Sequence, residues 1–393
     1  MKIFEELNCR LMLLTVFKNV KDDPLFSYFE EYCTCTDKKC KLNAYSKFVG
    51  EIYERGDSSL SRLVLKIVLE DENVYIRAKA KNQRISKEIK ETFEREIKFF
   101  EDFSRISPEL FSEDLSSDNL ELPKYITAKI DFQKEYKNRI RKIDKFGYGI
   151  FSSTAMFRLS DDKQIEKIIS KDNIELSHFI GYNEEREKVI NNTKYLIAGK
   201  IASNVLLYGD AGTGKSSTVK AIANEFYKDG VRLIELRKDQ LCYLPYVMGK
   251  IRDNPLKFII FIDDLSFNQN DDNFSMLKAA LEGSAAAKAE NAVIYATSNR
   301  RHIVKESFSD RDGDDVHVND TIQETLSLSE RFGLVVMFSK PNKDLYLQIV
   351  HELAKRNKIQ IDENKLDTEA EAFALKRGSR SARCAEQFID SLI

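Results

Sequence analysis

The chain has 393 residues, a length for two to three domains at about 150 residues each. Its 62 Lys+Arg against 64 Asp+Glu leave a net charge of −2, which excludes a polyanion binder built on bulk charge and leaves only local basic patches. An apolar content of 42% excludes wholesale disorder. Six Cys are too few for a disulfide scaffold, so reduced thiols in an intracellular protein are expected.

At the N-terminus, the apolar run from Leu11 to Phe17 follows Glu5 and Glu6 and precedes no small-residue cleavage site, so it does not read as a signal peptide. No run approaches the roughly 18 apolar residues of a transmembrane helix, and a cytoplasmic protein without a membrane span is expected. Residues 1–145 read as a mostly helical domain. Cys33, Cys35 and Cys40 lie close together, but zinc sites want four ligands, commonly in CxxC pairs, so reduced structural or surface thiols are the expectation. Ile85, Ile89, Phe93, Ile97, Phe100 and Phe103 recur every three or four residues, which predicts an amphipathic helix. Residues 108–122 hold five acids and no base and read as a loop or linker. Residues 124–145 carry eight Lys/Arg against three acids. They read as a solvated helix face, with a contact surface for nucleic acid or an acidic partner as the sharper alternative.

Past about 175 the texture changes. Short β-branched and aromatic runs at 205–208, 231–236, 258–262, 293–296 and 334–338 alternate with helical stretches. That alternation predicts an α/β fold with a parallel sheet covered on both faces. Residues 343–356, 368–376 and 379–392 read as helices, so the sheet domain ends in a helical lid. The expected division is 1–145 for the N-terminal domain, 146–340 for the core and 341–393 for the lid.

Gly209, Asp210, Ala211, Gly212, Thr213, Gly214, Lys215 and Ser216 fit the phosphate-loop pattern G-x-x-x-x-G-K-[ST], with Ser217 behind them. The pattern follows a predicted strand and opens a predicted helix, as its chemistry needs. The glycines let backbone N–H groups turn around phosphate oxygens, and the helix N-terminus adds partial positive charge. Lys215 is expected to neutralise the β- and γ-phosphates of ATP, and Ser216 to ligate Mg²⁺. Asp263 and Asp264 end the apolar run from Phe258 to Ile262, on the ligand side of a parallel sheet. Asp263 is expected to hold Mg²⁺ through water and Asp264 to polarise the attacking water.

With these motifs in place, the sequence resembles the AAA+ ATPase superfamily. The resemblance implies a P-loop NTPase of AAA+ type with a helical lid, binding ATP and Mg²⁺. It assigns γ-phosphate sensing to Asn299 in Ala296-Thr-Ser-Asn299, and a finger reaching a neighbour's ATP to Arg331 in Ser329-Glu-Arg331-Phe-Gly333. It assigns the lid arginine to Arg380, with Arg383 in reserve, and the segment packing on adenine to Ile180-Gly181-Tyr182. Narrower strings, among them Ile262-Asp-Asp-Leu-Ser-Phe267, Thr297-Ser-Asn-Arg-Arg-His302 and Leu326-Ser-Leu-Ser-Glu-Arg-Phe-Gly333, are similar to a functionally uncharacterised family of bacterial AAA+ ATP-binding proteins, known as a domain of unknown function. That likeness runs from about residue 146 to 390 and leaves the first 145 residues unassigned. The superfamily usually has Glu where this chain has Asp264, whose carboxylate is one methylene shorter. Slower turnover, or help from Glu282, is the expectation there.

Other signals carry less. Asp310, Asp312, Asp314 and Asp315 fail the EF-hand pattern, which wants Gly where Asp315 stands and Glu where Thr321 stands. His178, His302, His317 and His351 form no catalytic arrangement that order alone can argue. Residues 303–328 are a long insert, either a solvated acidic loop or a partner-facing element of a ring. The reading is an ATPase that self-associates as a ring or dimer and drives remodelling of an unknown protein or nucleic-acid target. The alternative is a weakly hydrolysing, ATP-dependent switch or binding module, with nucleic acid as one candidate partner.

Overall fold

In the computed structural model, which describes residues 2–115, 121–168, 174–266, 272–281, 289–299 and 331–393, the chain divides after Ser153 into two units. The first is helical. Its helices start where a short polar side chain takes an otherwise unpaired backbone N–H. Asp23 accepts from Leu25, Asp37 from Cys40, Ser59 from Arg62, Asn73 from Ile76, Ser86 from Ile89 and Asp131 from Lys134. The predicted amphipathic helix is Lys87–Phe103, with Phe93, Ile97, Phe100 and Phe103 buried. Phe29 stands edge-on to Phe103 at 4.8 Å between centroids, and Phe17 edge-on to Phe100 at 5.2 Å, the geometry that ring quadrupoles favour. Glu96 shares this buried face. A buried carboxylate needs donors, and it receives the backbone N–H groups of Thr15 at 2.8 Å, Val16 at 3.1 Å and Phe17 at 2.9 Å.

Two expectations for this unit are corrected. Within 108–122 the chain forms the helix Pro108–Leu115. Proline suits a first helical turn, where no N–H is needed, and burial of Phe111 and Leu115 outweighs the acidic composition. Cys35 and Cys40 are joined in a disulfide, with Cα atoms 5.7 Å apart, because the turn between helices Pro24–Thr34 and Lys38–Glu54 brings them together. Cys33 is a free, half-buried thiol pushed up to about 12 by burial. No His/Cys/Asp/Glu cluster suited to a metal occurs among the described residues. In the basic segment, helix Phe132–Arg141 buries Phe132 and Tyr136 and leaves Lys134, Lys137 and Arg141 exposed.

The second unit is built on one sheet. Its strands are β1 (Met156–Leu159), β2 (Ile165–Lys167), β3 (Val205–Gly209), β4 (Val231–Leu236), β5 (Lys257–Ile262), β6 (Ala292–Ser298) and β7 (Leu334–Phe338). They lie in the order β2-β1-β4-β5-β6-β3-β7. Every pairing is parallel except β1 with β2. The short strands β1 and β2 were not anticipated, because three or four residues show no periodicity. The loop-bearing strand β3 lies between β6 and β7. Parallel pairing puts the C-terminal ends of β3, β5 and β6 along one edge, the edge where open α/β sheets bind ligands. The chain ends in helices Lys343–Arg356, Glu363–Arg377 and Ala382–Asp390, packed around Tyr346, Val350, Leu366, Ala370 and Phe388. No helix among the described residues is long and apolar enough to cross a membrane.

Glu96→Ala leaves the buried amides of Val16 and Phe17 without an acceptor, a loss of about 3 kcal/mol at roughly 1–3 kcal/mol per orphaned group. A urea titration followed by circular dichroism is expected to show a lowered midpoint; an unshifted one would show that the carboxylate does not hold residues 15–17.

Candidate functional site

Along the C-terminal edge of the sheet lies a cleft of about 400 Å³. Its floor is the loop after β3. Gly209 has φ +135°, and a Cβ there would lie 2.0 Å from the Phe338 carbonyl oxygen of β7, so only glycine permits that approach. Helix Lys215–Glu225 starts directly behind the loop and aims its N-terminus into the cleft. The Lys215 ammonium is buried and donates to the carbonyls of Gly209 at 2.9 Å and Asp210 at 2.7 Å, and to Asn299 Oδ1 at 3.3 Å. Burial pushes its pKa down, while Asp210, Asp263 and Asp264 act in the opposite direction.

The strand ends complete the floor. Ser216 donates its hydroxyl to Asp263 Oδ1 at 2.6 Å. Thr297, near the end of β6, donates to the same oxygen and accepts the amide of Asp264 at 2.9 Å. Asp264 has φ +51°, a left-handed backbone that Asp tolerates better than most residues, and its Oδ1 takes the Asn299 amide at 2.8 Å. One hydrogen-bonded chain therefore links Lys215, Asn299 and Asp264, and a second links Ser216, Asp263 and Thr297.

The walls come from outside the sheet. His178, Phe179, Ile180, Tyr182 and Arg186 line one side. This segment is fixed by the terminal helices: Arg356 donates to the carbonyls of His178 at 2.7 Å and Ser177 at 3.3 Å, and a Cβ on Gly181 would meet Leu345 at 2.5 Å. Ala382, Arg383 and Glu386 line the lid side, where the Arg383 amide donates to the Gly212 carbonyl at 3.4 Å.

The predicted residues Ala211, Gly212, Thr213, Gly214, Lys215, Ser216, Ser217, Ile180, Asp263, Asp264 and Asn299 thus meet in one place. Gly209 and Asp210 form the start of the loop, and the Asp210 carboxylate accepts the amide of Lys340 at 2.9 Å. Arg380 does not line the cleft; Glu371 holds its guanidinium at 2.7 and 3.0 Å. Arg383, the reserve choice, does line it. Arg331 lies ahead of β7, at the sheet end opposite the loop, outside the cleft. Sequence reading passed over Thr297, Phe179 and Arg186. Thr297 stood inside a motif already quoted, two residues before Asn299, and its alternation along β6 was the available signal. Glu282, His302, His317, Asp310 to Asp315 and the insert 303–328 lie outside the described residues.

The mostly parallel sheet, the phosphate loop at its ligand edge, the paired acids and the terminal helices define an α/β protein with a phosphate-loop cleft. More narrowly, the chain belongs to the family described as Protein of unknown function (DUF815), whose profile matches residues 152–393. No curated protein matches the sequence. Among solved structures it is similar to RuvB of Thermotoga maritima, titled a Holliday junction branch migration motor, at 13% identity over 55% of this chain and 71% of that one, with a TM-score of 0.35. Two single-residue variants of the same RuvB match at TM-scores of 0.35: one at 12% identity over 55% of this chain and 71% of its own, the other at 14% over 56% and 72%.

Thr297→Val keeps the shape of the side chain and removes the hydroxyl that secures the Asp264 amide. Faster hydrogen exchange at that amide and a stability loss of about 1 kcal/mol are expected. Exchange at the unaltered rate would show that the hydroxyl does not hold the turn.

Proposed function

We propose that this protein is an ATPase that hydrolyses ATP to ADP and phosphate and uses the cycle to remodel a macromolecular partner. The observation that carries the reading is the 2.6 Å contact of Ser216 with Asp263 beneath the buried ammonium of Lys215. Two hard oxygen groups beside a helix N-terminus suit Mg²⁺ and a triphosphate. Ser216 and Asp263 would hold the ion, which when bound neutralises charge on the phosphates. The loop N–H groups cradle the β-phosphate, and Lys215 moves from the carbonyls of Gly209 and Asp210 to phosphate oxygens. Asp264 accepts the proton of the attacking water, with Asn299 fixing its carboxylate and reporting on the γ-phosphate. The lid contributes Arg383 to the phosphates in place of Arg380, whose charge Glu371 already engages.

Arg331, outside its own chain's cleft, serves the cleft of a neighbouring subunit, so the active form is a ring or at least a dimer. The change in angle between core and lid is the output, and residues 1–145 select the target. Residence in the cytoplasm belongs to the same reading; the Cys35–Cys40 pair is the described feature at odds with it. A second reading, an ATP-loaded switch that turns over slowly, draws on Asp264: its side chain is short and one oxygen is already bonded to Asn299.

Steady-state turnover per subunit, measured across protein concentration with Lys215→Ala as blank, tests both readings. A rate that climbs with concentration is expected; a flat rate at the blank's level would leave the switch. Asp264→Asn is expected to cut turnover by roughly 10²- to 10⁴-fold, the weight of a general base, with ATP binding retained. Arg331→Ala is expected to do the same by at least about 10³-fold, and normal turnover in that variant would remove the trans-acting role.

A further inference from the structure

Arg186 sits in the first turn of the helix Asn183–Ile197, lines the cleft, and is only 6% exposed. A charge this deep normally brings its own counter-charge. Here no carboxylate lies within ion-pair distance among the described residues; Glu185, its neighbour along the helix, acts on it only through space. The guanidinium spends one nitrogen on the turn ahead of it. Nη2 donates to the Gly181 carbonyl and to Asn183 Oδ1 at 3.0 Å. The group also lies over the Phe179 ring, 5.3 Å from its centroid, and that ring borders Gly214, where an added Cβ would meet it at 3.7 Å. Nε and Nη1 donate to no described residue, although a guanidinium carries five N–H donors. Burial pushes the group's pKa down, as expected of a cation left without a partner.

We propose that Arg186 is a positioning residue completed by the ligand: the phosphate charge of a bound nucleotide supplies the counter-charge that the described residues do not, and the guanidinium then locks the 178–183 turn against that nucleotide. The inference rests on the nucleotide reading above and adds to it. The phosphate loop recognises phosphate from below, through backbone N–H groups and Lys215. Arg186 recognises the same charge from the wall that also carries Ile180 and Tyr182. A single residue therefore couples the occupancy of the phosphate site to the shape of the base-facing segment. An uncharged ligand with the same base would leave it unsatisfied.

The test is calorimetric titration of the full chain with ATP, ADP and adenosine, alongside melting curves without ligand, for the unaltered protein, Arg186→Gln and Arg186→Lys. The unaltered protein binding ATP, and Lys215→Ala failing to, establishes the site on which the inference rests. Failure there removes the nucleotide reading itself. With the site established, Arg186→Gln is expected to weaken ATP and ADP by about 10- to 100-fold, the weight of one or two hydrogen bonds to a charged group. Adenosine affinity is expected to stay unchanged, and the ligand-free melting temperature to hold or rise, because a buried unpaired charge has been removed. Arg186→Lys is expected to restore part of the phosphate-dependent affinity. Equal weakening of adenosine and ATP, or a lowered melting temperature with unchanged affinities, would make Arg186 a structural residue of the turn and overturn the proposal.

Discussion

A single carboxylate oxygen organises the second unit. Asp263 Oδ1 receives the Ser216 hydroxyl at 2.6 Å, the Thr297 hydroxyl and the Asp264 amide at 3.2 Å. These donors belong to three segments: the helix behind the phosphate loop, strand β6, and the turn after β5. A carboxyl group at the end of a strand buried on both faces needs such donors. Satisfying it fixes the three segments in register. Asp264 itself takes a left-handed backbone, and the chain continues to Leu265, whose amide donates to the Thr297 carbonyl at 2.7 Å. Asp264 then points at Asn299, and Asn299 at Lys215.

The site was largely legible because its chemistry is carried by consecutive residues. The glycines, Lys215 and Ser216 are adjacent in the chain, and the two aspartates close an apolar run, so spacing alone placed them on one edge. The strands of the core were legible for a related reason: burial on both faces makes a run such as 258–262 continuously apolar. Features that depend on distant residues were hidden. Arg380 and Arg383 are three apart and equally charged, and it is Glu371, nine residues before Arg380, that draws Arg380 away while Arg383 lines the cleft. The helix 108–115 was hidden by its own acids, since its buried residues Pro108, Phe111 and Leu115 make a repeat too short to read. The disulfide was hidden because sequence spacing does not report how a turn brings thiols together.

The charges of the cleft are unevenly settled. Asp263 and Asp264 are bonded to neutral donors, and Lys215 rests on carbonyl oxygens. Arg186 and Arg383 add positive charge to the walls, and Glu386 adds a carboxyl group whose pKa burial pushes up. No direct ion pair among these residues discharges the cavity. It is held instead by dipoles, which are preorganised and need little reorganisation when a charged ligand arrives.

The contact at Gly209 has a mechanical meaning. The loop's first glycine lies against the Phe338 carbonyl, the amide of Asp210 donates to that same oxygen at 3.2 Å, and the Asp210 carboxylate takes the amide of Lys340. Residues 339–342 are the only covalent route from the sheet into the terminal helices. The connection into the terminal helices is thus tied to the floor of the cleft through the amide of Lys340, two residues past the end of β7. With so little slack, any tilt of the terminal helices would reach the phosphate loop directly, and a shift at the loop would be enlarged along the first of them, Lys343–Arg356, roughly 20 Å long at 1.5 Å per residue.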